Sequence, residues 1–156
     1  MDWKTLFFKA DGRISRQSFW IAVLILFGAN VLLSWIPLIG IVVSIVGIYA
    51  GVCVYAKRLH DMGQSGWLQL APMVATFVLM GVGIASMGGM AAMGAFSGND
   101  GVAAGAAMGG AGIVMLCLGL AFLIGVGFLL WVGLTPGEPG SNKYGEPPLS
   151  TPLPAA

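Results

Sequence analysis

Long apolar runs divide this chain, with the charged residues gathered between them. Between Arg16 and Lys57 lie 40 uncharged residues, between Asp61 and Asp100 another 38, and between Asp100 and Glu138 another 37. A helix that crosses a bilayer needs about 20 apolar residues, each rising about 1.5 Å through a hydrocarbon core of about 30 Å. The first run is twice that length, with Pro37 near its middle, so Trp35-Ile36-Pro37-Leu38 reads as a tight turn joining spans over 19–36 and 38–56. Further spans are predicted over 67–87 and 113–134. The pattern predicts an all-α membrane protein with four transmembrane helices, occupying residues 17–135.

The flanking segments follow different rules. Over residues 1–16, Trp3, Leu6, Phe7 and Ala10 recur at helical spacing, with Lys4 and Lys9 between them. This predicts a short interfacial helix whose lysines reach anionic headgroups. Asp2 is placed to cap its start, Asp11-Gly12 to break it, and Ser15 to cap the first span. Residues 88–112 form an outer segment biased to glycine, alanine and methionine, as in Met87-Gly88-Gly89-Met90-Ala91-Ala92-Met93-Gly94. Glycine costs a helix about 1 kcal/mol relative to alanine. The segment therefore reads either as a loose loop or as a hairpin that continues the third and fourth helices, with partial continuation favoured and the tip at Ser97–Gly101. Residues 136–156 carry six of the eight prolines and predict a tail without regular structure.

Composition strengthens this picture and narrows the chemistry. The 156 residues are 58% hydrophobic and 8% charged, with mean hydropathy +0.92, too little charge to cover a water-exposed globule. Net charge +1 and two cysteines exclude a nucleic-acid binder and a disulfide scaffold. With four spans, all seven Lys and Arg residues share one side, which the positive-inside rule makes the cytoplasm. Both the N-terminus and the Pro-rich tail are then cytoplasmic, and Asp100 lies opposite. Trp20, Trp35, Trp67 and Trp131 stand near helix ends, where indole favours the headgroup boundary. No Asp, Glu, Lys, Arg or His sits within the spans, which disfavours ion-coupled pumps and transporters. Gly40, Ser44, Gly47 and Gly51 line up as a small-residue seam for close helix contact. Cys53 and Cys117 differ in depth by about 21 Å at helical rise, too far for a disulfide.

The densest polar run is Arg58-Leu59-His60-Asp61-Met62-Gly63-Gln64-Ser65-Gly66-Trp67. As a corner between helices it is self-consistent. Lys57 and Arg58 complement a helix C-terminus, Asp61 can pair with either, Gly63 suits the left-handed C′ position and Ser65 suits an N-cap. The functional alternative is that Arg58, His60 and Asp61, with Arg13 and Arg16, bind a headgroup phosphate or a protein partner. One histidine without thiolates is a poor metal site, so no catalytic residue, metal ligand or cofactor is assigned.

Three short motifs occur in order: Gly12-Arg13-Ile14-Ser15-Arg16-Gln17-Ser18-Phe19-Trp20, the Arg58–Trp67 run, and Gly140-Ser141-Asn142-Lys143-Tyr144-Gly145. Together the chain resembles a bacterial inner-membrane family known as domain of unknown function 805, over about residues 1–148. Gly12, Trp20, Gly63, Ser65, Gly66, Trp67, Asn142, Tyr144 and Gly145 carry the likeness. It implies a small multi-pass protein of the bacterial inner (plasma) membrane with these motifs on the cytoplasmic face, and it brings no established activity. Two departures stand out. Members often carry an acidic residue where Ser18 stands, which would complete a capping box with Ser15, and the Gly/Ala/Met-rich segment is longer than usual. The expected function is a non-enzymatic helical bundle whose basic corner recognises lipid headgroups or a protein partner, the expected partners being membrane lipids and a homo-oligomer or a membrane protein. The alternatives are a subunit of an oligomeric small-solute pore or transporter and, third, an enzyme acting on lipid.

Overall fold

The structure, a computed structural model, describes residues 3–148; the expected cap at Asp2 and the prolines at 152 and 154 lie outside that range. Five α-helices follow one another: α1 (Trp3–Phe8), α2 (Arg16–Leu33), α3 (Ile39–Asp61), α4 (Leu70–Ser97) and α5 (Asp100–Leu134), with a 3-10 turn over Gly66–Gln69 before α4. Helices α2 to α5 are long and apolar enough to cross a membrane. The chain is an all-α integral membrane protein, and among the described residues it contains no β-strand. It divides into two compact units, one built from residues up to Gln69 together with those from Leu130 onward, the other from Leu70–Leu129.

In the first unit, local chemistry sets the helix ends. Ser15 is extended (φ −70°, ψ 162°), and its hydroxyl accepts the Ser18 N–H at 3.2 Å, capping α2 as expected. The Ser18 hydroxyl stands 3.0 Å from the Ser15 hydroxyl, whereas a capping-box carboxylate there would accept the Ser15 N–H. The turn from α2 to α3 is tight enough to hold Leu38 at φ +65°. A Cβ on Gly40 would lie 2.6 Å from the Ser34 carbonyl oxygen, so Gly40 serves the turn rather than the helix seam to which its spacing assigned it. Of that seam, Gly47 faces Asn30, and a Cβ on Gly51 would meet nothing within 4 Å.

The core of this unit lies towards the end of α3. Phe19, Ala22, Ala50, Cys53, Val54, Ala56 and Leu59 are at most 5% exposed, whereas Leu24, Phe27, Leu32, Ile41, Ile45 and Ile48 are between 62% and 74% exposed. A shell of large aliphatic and aromatic side chains turned outward is what lipid, not water, solvates.

The second unit is a hairpin. Helix α4 has 28 residues and α5 has 35, about 42 Å and 52 Å at helical rise. Only Gly98, at φ +61°, and Asn99 separate them. The Asn99 side-chain oxygen accepts the N–H groups of Gly101 (2.9 Å) and Val102 (3.3 Å), so Asn99 caps α5. Residues 88–97 and 100–112 are therefore helical, and both helices run past the spans expected at 67–87 and 113–134. Close backbone approach explains this against the low helix propensity of glycine. A Cβ on Gly94 would stand 3.0 Å from the Ala103 Cα, and one on Gly110 3.5 Å from the Met87 Cα. Cys53 and Cys117 are free, as expected.

Candidate functional site

The last turn of α3 is where the polar residues of the first unit converge. Lys57, 2% exposed, donates to the Thr5 and Leu6 carbonyl oxygens and so closes the C-terminal end of α1. Helix α1 is thereby fixed to α3, with Leu6 buried beneath it. Asp61 had two expected partners at helical spacing, Lys57 and Arg58. The carboxylate takes Arg58, while Lys57 serves α1.

Arg58 is completely buried. Its Nε donates to the Val132 carbonyl at 3.1 Å, Nη1 to Asp61 and the Ile14 carbonyl (3.5 Å), and Nη2 to the Thr135 carbonyl. Arg16 Nη1 reaches the Leu134 carbonyl at 3.4 Å, while the N–H and hydroxyl of Thr135 both donate to the Trp131 carbonyl, at 3.1 Å and 2.6 Å. The carbonyls at the end of a helix have no partner within it. Here two arginines from other elements supply partners for the end of α5, and their charge complements its negative pole.

Arg13 is the residue that ties the third motif in. Nε donates to Asp61 Oδ1 at 3.0 Å, Nη1 to the carbonyls of Gly140 (2.6 Å) and Gly145 (3.3 Å), and Nη2 to those of Glu138 (2.5 Å) and Asp61 (3.4 Å). A guanidinium has five N–H groups, and each of these five bonds takes one. The tail from Pro136 to Pro148 has no helix, as expected, yet it is docked. The Glu138 N–H donates to the Asp61 carbonyl at 2.8 Å, and the Asn142 amide donates to the His60 carbonyl (2.9 Å) and to Glu138 (2.8 Å). Asn142 and Gly145 exchange backbone hydrogen bonds around a turn in which Gly145 holds φ +125°. Tyr144 stacks flat on His60, with ring centres 3.7 Å apart, and His60 Nδ1 faces the Gly12 carbonyl at 3.3 Å.

The approach is close enough to demand glycine at two points. A Cβ on Gly137 would lie 2.0 Å from an oxygen of the Asp61 carboxylate, and one on Gly133 2.6 Å from the Trp20 ring. Trp20, expected as a boundary anchor, is half-buried against that last turn of α5 and edge-on to Phe19. The rest of the corner follows its local chemistry. Gly63 is left-handed at φ +70°, the Ser65 hydroxyl accepts the Trp67 N–H at 3.4 Å, Gly66 lies against Ala56 and His60, and Trp67 is 77% exposed.

All five candidate recognition residues meet at this one corner, but their exposure differs. Arg58, Asp61 and the Arg13 side chain are buried, His60 is half-buried, and Arg16 is exposed. Arg58 and Asp61 do not face outward as their helix-end position suggested; they close the corner from within. Beside them a recess of about 180 Å³ is lined by Ser15, Arg16, Arg58, Asp61, Glu138 and Pro148. Among the described residues no cluster of three or more His, Cys, Asp or Glu could hold a metal ion. Sequence reasoning missed Thr135, Gly137 and Glu138, and it gave Lys57 to the end of α3 and Asp61 where the structure gives it to α1. The one available signal was the third motif, whose glycines and asparagine fit a docked turn better than a loose tail.

Comparison with protein families matches residues 7–146 to a family described as "Protein of unknown function (DUF805)". Neither the curated proteins nor the solved structures give a match.

Proposed function

The chain belongs to the DUF805 family of proteins of unknown function, and from that premise we propose that it is a non-enzymatic multi-pass protein of a bacterial inner membrane whose corner recognises anionic lipid headgroups from the cytoplasmic side. One observation carries this reading. The corner satisfies Arg13 and Arg58 internally yet leaves Arg16 exposed on the same unit, where Lys9 and Lys143 are exposed as well, alongside the acids Asp11, Glu138 and Glu146. Arg13 and Arg58 then build the surface, and the three outward cations meet the lipid phosphates. A cation held near an anionic leaflet contributes about 1 kcal/mol, so three together give a preference of about a hundredfold at most over zwitterionic lipid.

The test is lipid selection by the purified chain in vesicles of phosphatidylcholine with graded phosphatidylglycerol. The native chain should retain phosphatidylglycerol preferentially. Arg16→Gln with Lys9→Gln and Lys143→Gln should lose most of that preference while folding normally. An unaltered lipid preference in the triple variant would refute the reading. Solute flux through proteoliposomes or turnover of the lipid would favour instead a pore or an enzyme.

A further inference from the structure

We propose that the groove between α2 and α3 binds one diacyl glycerophospholipid, its ester carbonyls held by Asn30 and Ser44 and one acyl chain laid along Gly47 and Gly51. The groove has a volume of about 410 Å³. It follows α2 from Val23 to Asn30 and α3 from Ser44 to Tyr55, about 10 Å and 16 Å at helical rise. The walls are mostly apolar, and two free polar groups stand at one end. Ligand sites are commonly built this way, from an apolar lining and a few placed polar groups.

Asn30 and Ser44 are polar residues within apolar helices, and neither side chain has a hydrogen-bond partner among the described residues. Ser86, by contrast, donates to the Gly83 carbonyl of its own helix at 2.7 Å. The Asn30 amide nitrogen lies 3.8 Å from where a Cβ on Gly47 would stand, so the amide faces α3 across the groove. A polar group left without a partner in lipid is costly. Asn30 is the 15th of 18 residues in α2 and Ser44 the 6th of 23 in α3, so both lie within about 8 Å of the turn that joins the helices. Helix α2 is about 27 Å long, close to the thickness of the hydrocarbon core. With the corner at one face of the bilayer, the turn reaches the other, and the two donors lie where phospholipid ester carbonyls border the hydrocarbon. A glycerophospholipid brings two such carbonyls, acceptors to meet an amide and a hydroxyl.

Size decides between a lipid and another helix. A Cβ on Gly51 would meet nothing within 4 Å, so the missing side chain leaves open space along the α3 wall. A helix is about 10–12 Å across and over this length occupies about 1,000 Å³, so a second copy of the chain is too wide to seat in the groove. An acyl chain is a single file of methylenes and fits. Phe27 and Ile48, which line the groove, are exposed and leave it open to the lipid. The turn from Ser34 to Leu38 carries no charge, so the site reads the esters and the chain, not the headgroup. It is independent of the corner at the opposite helix ends.

The experiment titrates the full chain in detergent with a diacyl phosphatidylcholine, or with its dialkyl ether analogue, and reads retained lipid by native mass spectrometry. The analogue has the same headgroup and chains but no ester carbonyl, so the result does not depend on headgroup recognition at the corner. One lipid per chain should be retained, the ester form about three- to tenfold more tightly, as one or two hydrogen bonds of the strength found in membranes give. Asn30→Leu with Ser44→Ala should abolish that preference without lowering the melting temperature, because neither side chain bonds within the protein. Gly51→Leu should fill the groove and weaken retention of both lipids, and Ser86→Ala should change nothing. Equal retention of the two lipids, an ester preference that survives in the double variant, or a melting temperature lowered by it would each overturn the proposal. So would undiminished retention in a folded Gly51→Leu chain, or a dimer that the double variant dissociates.

Discussion

Arg13 and Asp61, separated by 48 residues in the chain, meet with both Nε and Nη2 of the guanidinium 3.0 Å from the same carboxylate oxygen. The Arg13 side chain is 1% exposed and that of Asp61 5%. Arg58 takes the other carboxylate oxygen, so one acid holds two bases. The excess positive charge is met by backbone carbonyl oxygens from the linker before α2, the end of α5 and the tail. Arginine suits this task because its planar fork directs five donors at fixed angles.

Removing one member of this group should unfold the corner. Taking away one partner of a buried ion pair costs about 3–5 kcal/mol, because the other charge stays buried without compensation. Arg58→Ala and Asp61→Asn should each lower the melting temperature of the detergent-solubilised chain. Arg13→Lys should not restore stability, since an ammonium offers three donors in place of five. A melting temperature unchanged by Arg58→Ala would mean that this arginine faces solvent.

The tail should depend on the absence of a side chain at one position. Gly137→Ala drives a methyl group into the Asp61 carboxylate, which the two arginines prevent from yielding; overpacking of this kind costs about 1–3 kcal/mol. Gly140→Ala, where a Cβ meets nothing within 4 Å, should change stability by less than about 0.5 kcal/mol. Equal effects of the two in thermal melts would show that the tail does not dock as described. Limited proteolysis should cut the tail of Gly137→Ala first.

The cap of α2 can be weakened or completed. Ser15→Ala removes the hydroxyl that accepts the Ser18 N–H and should cost about 0.5–2 kcal/mol. Ser18→Glu would supply the carboxylate of a capping box and should raise the melting temperature. A decrease with Ser18→Glu would show that the Ser15–Ser18 hydroxyl contact is worth more than the reciprocal cap.

Sidedness is open to a direct measurement. The start of α2, the end of α3 and the end of α5 come together at the corner, so an even number of crossings returns the chain to the side it left. From the positive-inside rule we propose that this side is the cytoplasm. Topology reporters fused at Asp100 and after Tyr144 should give opposite signals, and matching signals would rule out four crossings.

The sequence by itself determined the number and order of the membrane helices. Hydropathy is summed over consecutive residues, and a lipid-exposed backbone has to satisfy its own hydrogen bonds within each helix, so the apolar gaps are legible without any neighbour. The caps at Ser15 and Gly63 were legible for the same reason, each resting on atoms within a few residues. Tertiary structure alone decided what the arginines do. Arg13 and Arg58 are held largely by carbonyl oxygens of Ile14, Val132, Thr135, Glu138, Gly140 and Gly145, and a carbonyl oxygen is the same in every residue and leaves no mark in the sequence. Which cation is buried and which stays outside is therefore fixed only when the chain brings the end of α5 and the tail onto α3. The hairpin follows the same logic, for glycine's low helix propensity is local, while the close backbone contact between Gly94 and Ala103 that offsets it exists only once the two helices meet.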